Sequence, residues 1–165
     1  MRLGLRLESR MAGNGREIER KYLLTGLPAG IADHPSVEID QGYVPGTAIR
    51  ERVRRMVSAD GVRFMRTVKL GSGMDRLEFE EETSREFFDA VWPLTHGKRV
   101  RKRRYLVPVP DGLWEIDEFL DRELVLAEFE MDSVDQRVDV PAFVQAVLVR
   151  EVTDEPQYGN FRLAR

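Results

Sequence analysis

The sequence predicts a single mostly-β (α+β) domain built on an antiparallel sheet. Three observations carry this. Short stretches in which apolar and charged residues alternate recur from Glu17 to Met131, the pattern of half-buried strands. Turn residues separate them at hairpin spacing, as at Pro45-Gly46, Asp60-Gly61, Gly71-Ser72-Gly73 and Pro110-Asp111-Gly112. The 165 residues suffice for one core without covalent staples.

Glu17 to Leu24 reads as the first strand, with Ile18, Tyr22 and Leu24 on one face. Residues 25–37, holding Gly26, Pro28, Gly30 and Pro35, read as a loop. Glu38 to Tyr43 is the second strand and Ala48 to Val57 the third. Asp60-Gly61 turns the chain into Val62–Leu70, and Asp75–Glu82 follows the next turn. Thr83 to Thr95 reads as a helix: Thr83 and Glu86 make a capping box, and Phe87, Val91 and Leu94 form its apolar stripe. Arg99–Val109, Leu113–Phe119 and Glu123–Met131 are the remaining strands. Pro141 opens a second helix running to Val149, and a short one is predicted over Pro156–Leu163 with Asp154 as its cap. Residues 1–14 show neither periodicity nor motif; a disordered leader is expected there, ahead of a single domain over 15–165.

Composition removes several functions. The 26 Lys+Arg and 29 Asp+Glu leave a net charge of −3, which excludes a globally basic nucleic-acid binder. The basic run Lys98–Arg104 leads into Tyr105-Leu-Val, so alternation sends Lys102 and Arg104 to one face of a strand and Arg101 and Arg103 to the other. No stretch approaches the ~20 apolar residues of a membrane span, and Met1–Arg10 has no apolar signal core. A cytoplasmic protein without nucleic-acid or membrane partners is expected. There is no cysteine, and His34 and His96 stand far apart. Chemistry therefore falls to carboxylates, Lys, Arg and Tyr.

Charge collects on one face of nearly every strand: Glu17, Glu19 and Lys21; Arg50, Arg52 and Arg54; Lys69; Arg76, Glu78 and Glu80; Lys102 and Arg104; Glu115 and Asp117; Glu128 and Glu130. The opposite faces are read as apolar, with Ile18, Tyr22, Val53, Leu77, Phe79, Trp114, Ile116, Phe119, Phe129 and Met131 among them. A sheet with one wet face accounts for any single strand. Repetition over all of them favours another arrangement. About eight strands can close around a narrow interior. With helices over an apolar outside, a charged lumen would offer carboxylates to a hard divalent cation and Arg/Lys to an anion with several phosphates.

The motifs, taken in order, resemble the CYTH domain, or triphosphate tunnel metalloenzyme superfamily. Glu17-Ile-Glu19-Arg-Lys21 resembles its E-x-E-x-K signature, and Gln41-Gly-Tyr43 its second-strand motif. Arg52-Val-Arg54, Thr67-Val-Lys69 and Arg76-Leu-Glu78-Phe-Glu80 follow, then Lys102-Arg-Arg104-Tyr105, Trp114-Glu115-Ile-Asp117 and Leu126-Ala-Glu128-Phe-Glu130. Glu151-Val-Thr153-Asp154, with Tyr158 and Asn160, resembles the C-terminal segment. The resemblance implies a closed antiparallel eight-stranded barrel with helices outside, and hydrolysis of a triphosphate with Mg²⁺ or Mn²⁺. It implies metal ligation by Glu17, Glu19, Glu128 and Glu130, and phosphate binding by Lys21, Arg52, Arg54, Lys69, Arg76, Lys102 and Arg104. Glu78, Glu80, Glu115 and Asp117 would support these. For water activation it leaves two alternatives, a Tyr43–Lys69 pair and carboxylates of the metal shell. The bare motifs look most like the bacterial stand-alone inorganic triphosphatases, monomeric or homodimeric. A nucleoside or thiamine triphosphatase, or a non-catalytic binder of triphosphate or polyphosphate, is the alternative.

Overall fold

The structure is a computed structural model that describes residues 18–46, 49–70 and 77–165. The expected leader, Glu17 and Arg76 lie outside them.

Nine antiparallel strands form one sheet: β1 (Ile18–Leu24), β2 (Ser36–Val44), β3 (Arg50–Ser58), β4 (Gly61–Leu70), β5 (Leu77–Thr83), β6 (Arg99–Val109), β7 (Gly112–Phe119), β8 (Val125–Met131) and β9 (Leu148–Glu151). Their order across the sheet is β5-β4-β3-β2-β6-β7-β8-β1-β9. The expected barrel had eight strands and was closed; the described ladder has nine and ends at β5 and β9 without pairing them. The added strand replaces most of the second predicted helix. Only Ala142–Gln145 is helical (α2), with Pro141 as its N-cap. The next residues, rich in Val and Leu, pair instead with the free edge of β1, where Tyr22 faces Glu151 and Leu24 faces Leu148.

The helix before β6 starts one residue later than predicted. The Ser84 hydroxyl, in place of Thr83, accepts from Phe87 N at 3.1 Å and caps Arg85–Val91 (α1). Pro93 then tightens Trp92–Thr95 into a 3-10 turn. The C-terminal segment is likewise two pieces, a 3-10 turn at Pro156–Tyr158 and a short helix α3 over Asn160–Leu163, with no side-chain cap from Asp154.

The main core lies on one side of β1, β6, β7 and β8. Tyr22, Tyr105, Val107, Trp114, Ile116, Phe129 and Met131 pack there under Ile31 and Val144 of α2. Trp114 is its centre, with ring centroids 5.4 Å from Tyr22 and 5.1 Å from Phe129. On the same side of β3 and β4, Phe88 of α1 covers Val53 and Phe64. This side is not uniformly apolar. Across β2, β3 and β6 it carries the ion pairs Arg55–Asp40 and Arg101–Asp40, at 3.7 and 3.4 Å, and Arg103–Glu38. Arg101 and Arg103 thus lie opposite Lys102 and Arg104, as alternation predicts. Among the described residues no helix is long and apolar enough to cross a membrane.

Gly42 is where the 3-10 turn crosses the sheet: a Cβ there would collide with the buried Thr95 side chain. Around Gly26 the space is open. Gly42→Ala is therefore expected to cost about 1–3 kcal/mol by overpacking, a fall in Tm of several degrees. Gly26→Ala should leave Tm nearly unchanged. Thermal melting of the two variants checks this.

Candidate active site

Register places the predicted charges on a single face. Residues facing each other in antiparallel strands point to the same side. Glu80 faces Thr67, which faces Arg52, which faces Tyr43. Gln41 faces Val100, and Ile39 faces Lys102. Arg104 faces Asp117, Glu115 faces Glu128, and Glu128 faces Lys21; Glu19 lies opposite Glu130. The charges form two wings, β3-β4-β5 and β6-β7-β8-β1. Between them β2 contributes a strip without charge: Val37, Ile39, Gln41 and Tyr43. The same register moves Phe119 to this face, opposite Lys102. The sequence reading had it with Trp114 and Ile116, but it shares parity with Glu115 and Asp117.

In the first wing Glu80 is the hub. Its Oε2 accepts from Arg52 Nη2 at 3.2 Å and from the Thr67 hydroxyl at 2.9 Å, and it also binds Arg54. Arg52 Nη2 in turn donates to Thr67 Oγ1 at 3.0 Å. Lys69 Nζ lies 2.7 Å from Glu78 Oε2. Burial alone would raise the Glu80 carboxyl, but Arg54, Arg52 and the Thr67 hydroxyl outweigh it and hold it below its ordinary range.

In the second wing the hub is Asp117, fully buried. Its Oδ2 takes Lys102 Nζ at 2.6 Å and Arg104 Nη2 at 2.6 Å, while Oδ1 takes Arg104 Nε at 2.6 Å. Arg104 continues to Glu128 Oε2 at 2.7 Å and to Glu115. Lys21 Nζ closes the chain, 2.9 Å from Glu128 and 3.3 Å from Glu19. Burial opposes the charge of Asp117, yet Arg104 and Lys102 keep it well below the usual carboxylate range. Glu128 is likewise lowered against burial, by Lys21 and Arg104. Glu115 goes the other way: burial raises it, Glu128 and Asp117 add to that, and Arg104 only partly compensates. Lys102 is lowered by burial and by the nearby Arg104.

The strip between the wings holds Tyr43. Gln41 Nε2 donates to its hydroxyl oxygen at 3.0 Å, and burial pushes the phenol up. The partner found for Tyr43 is thus Gln41, and that for Lys69 is Glu78. Lys102 is also less open than a phosphate ligand, since Asn160 Oδ1 takes a second of its donor directions at 3.3 Å. Sequence reasoning assigned no role to Gln41, Thr67 or Asn160. Parity with Tyr43 and Lys69 marks the first two; Asn160 is 58 residues from Lys102 and carries no signal in spacing. The Glu151–Asp154 motif is structural: Thr153 Oγ1 accepts from Lys21 N at 3.1 Å, and Val152 N donates to Lys21 O at 2.8 Å.

A single antiparallel sheet with interlocked guanidinium, ammonium and carboxylate groups on one face offers several cationic forks and point charges at once, the donors that polyanion-binding proteins use. No family model matches the chain. It is 35% identical to the inorganic triphosphatase of Nitrosomonas europaea over 156 residues, 90% of this chain and 96% of that one. It is 29% identical to the inorganic triphosphatase of Acetivibrio thermocellus, covering 92% and 94%. Among solved structures it resembles that of the inorganic triphosphatase NE1496, with TM-score 0.66, 33% identity and coverage of 90% and 93%. The PH1819 protein of Pyrococcus horikoshii shares the fold, with TM-score 0.52 and 18% identity over 79% and 85%. The chain belongs to the same family as these inorganic triphosphatases, the triphosphate tunnel metalloenzyme (CYTH) family.

The depressed carboxyls Asp117, Glu128 and Glu80 bind fewer protons folded than unfolded. Their stabilisation is therefore complete above the unfolded values of about 4 and is lost as pH falls through the folded ones. The melting temperature should fall progressively below about pH 5, while Glu115, which holds its proton more tightly in the folded state, works the other way and offsets part of the fall. Asp117→Asn takes its paired carboxylate from buried Lys102 and, among the described residues, one of three from Arg104; it should cost about 3–5 kcal/mol, with a shallower acid limb.

Proposed function

We propose that this protein hydrolyses inorganic triphosphate to pyrophosphate and phosphate on the charged face of its sheet, with Mg²⁺ or Mn²⁺ as cofactor. The observation that carries the reading is the set of Arg52, Arg54, Lys69 and Arg104, all on one face and all held by carboxylates, in a chain collinear with relatives that are inorganic triphosphatases.

The sheet is taken to curl around this face as a trough. In flat sheet order β1 lies four strands from β2, about 19 Å at ordinary strand spacing. Yet the field of Lys21 on β1 reaches Tyr43 on β2. The burial of Gln41, Thr67, Lys102, Asp117 and Glu128 also fits side chains facing one another across it.

Arg52, Arg54 and Arg104 clamp phosphate oxygens with their forks, and Lys69 and Lys21 add point charges. Arg76 joins them in this reading. Lys102, enclosed by Asp117 and Asn160, acts through Asp117 by fixing the carboxylate that aims Arg104. The donor set fits a hard cation in kind, since Glu19, Glu128 and Glu130 offer oxygen alone in matching register. Among the described residues they are not gathered as a ready-made ion cage; Glu128 is engaged by Lys21 and Arg104. Glu17 completes the proposed ligand set. When bound, the cation neutralises charge developing on the phosphoryl oxygens.

Water attacks the terminal phosphorus, the bridging P–O bond breaks, pyrophosphate leaves with the electron pair, and the water proton passes to solvent. Because burial keeps the Tyr43 phenol protonated, it serves here by orienting water or phosphate. Tyr43→Phe should lower kcat with little change in KM and leave the alkaline limb of the pH–rate profile in place; a shifted limb would make it the base.

The direct test is phosphate release from tripolyphosphate, ATP and thiamine triphosphate, with Mg²⁺, with Mn²⁺ and with EDTA. Tripolyphosphate should be the preferred substrate and EDTA should abolish turnover. Arg52→Ala should lower kcat/KM at least about tenfold, the worth of a charge-assisted hydrogen bond. No release from tripolyphosphate with either cation would remove the proposed activity; full turnover in EDTA would remove the metal.

A further inference from the structure

We propose that Phe161 is a specificity-determining residue, whose ring fills the slot at one end of the charged face where the base of a nucleoside triphosphate would otherwise stack. The inference rests on the triphosphate-hydrolysis reading above and adds which triphosphates the site turns away.

Phe161 belongs to α3, which packs on β6. Its ring stands edge-on to Tyr43, with centroids 5.1 Å apart at 89°. The Arg50 guanidinium carbon lies 4.5 Å from the ring centroid, and Lys98 Nζ 6.0 Å. Arg50 shares the face of Arg52 and Arg54 by strand parity and is paired opposite Lys69. Arg50, against which the ring rests, lies one side-chain step along β3 from Arg52, about 7 Å. A flat ring under an arginine and against a tyrosine is the environment in which proteins stack a base. Here the chain supplies the ring itself. A bare triphosphate needs nothing beyond its last phosphate, whereas a nucleotide must place sugar and base where Phe161 sits.

The ring packs against the cluster of Tyr43, Val100, Phe119 and Leu126, and the backbone that follows it has further anchors of its own. Arg165 exchanges two backbone hydrogen bonds with Arg99, at 3.0 and 3.1 Å. Arg122 Nη1 donates to Leu163 O at 2.6 Å, and Ala164 is buried against the cluster of Val100, Phe119 and Leu126. Removing the ring therefore empties the slot while its frame stays. The vacancy, walled by Arg50 and Lys98, suits a neutral purine and repels the cationic thiazolium of thiamine.

The test compares kcat/KM for Mg-ATP and Mg-tripolyphosphate in the full chain, for the parent, Phe161→Ala and Phe161→Trp. Phe161→Ala should raise the ATP-to-tripolyphosphate ratio at least about tenfold, the worth of one stacked base, with a smaller rise for thiamine triphosphate. Phe161→Trp, which keeps the slot full, should hold the ratio at or below the parent's. An unchanged ratio in a folded Phe161→Ala protein overturns the proposal. If that variant does not fold, Phe161→Val replaces it, and an unchanged ratio there is equally decisive. A parent that cleaves neither compound refutes the hydrolysis reading instead.

Discussion

Asp117 exposes nothing to solvent and yet holds two cations, Lys102 on one oxygen and the Arg104 fork across both. Taking such groups out of water costs several kcal/mol per ion, recovered only when geometry is good and the remaining donors are met. The register meets both conditions. Arg104 faces Asp117 directly, and Phe119, two residues on from Asp117, sets its ring centroid 5.8 Å from Lys102 Nζ. From Arg104 the pairing passes to Glu128 on β8 and from there to Lys21 on β1. Four strands are thus tied by one chain of charges. A one-residue slip of any of them would carry its charges to the side where Trp114, Ile116 and Phe129 pack.

Most of the apolar packing lies on the side of the sheet away from the site charges, while a further cluster of Tyr43, Val100, Phe119 and Leu126 shares the charged face. The aromatic and branched side chains around Trp114, and those beneath α1, supply the hydrophobic driving force. Replacing buried ion pairs by well-packed apolar side chains is often neutral or stabilising, which is why the proposed function assigns these charges to a ligand. Each guanidinium already rests on a carboxylate, and a polyphosphate has only to replace one oxyanion by another. In the proposed reaction the displaced carboxylates would then be open to the cation, which would couple the two binding events.

Much of this was legible in the sequence because period-two alternation is a strong signal and charge is an unusual filling for it. Every described motif residue lies on the face alternation assigned it; Phe119 was misread only by departing from the same parity rule. What alternation cannot show is which strands neighbour one another or how the sheet ends. Eight strands are read because the helix predicted from Pro141 runs to Val149; the free edge of β1 instead captures Leu148–Glu151 as a strand. The hub roles of Glu80 and Asp117, and the contact of Asn160 with Lys102, depend on pairings up to 58 residues apart in sequence. Tyr43 and Lys69 read as a pair by motif, whereas the contacts each makes, Gln41 with the Tyr43 hydroxyl and Glu78 with Lys69, follow from pairing and not from motif.

The central claim is that triphosphate binds by exchange, taking over guanidinium groups that carboxylates hold in its absence. A crystal structure with tripolyphosphate and Ca²⁺ bound tests it most directly. The account predicts phosphate oxygens on Arg52, Arg54 and Arg104, with Glu80 and Glu128 drawn away from them and the strand register unchanged. Tripolyphosphate bound elsewhere, or bound with the Arg54–Glu80 and Arg104–Glu128 pairs intact, would contradict it.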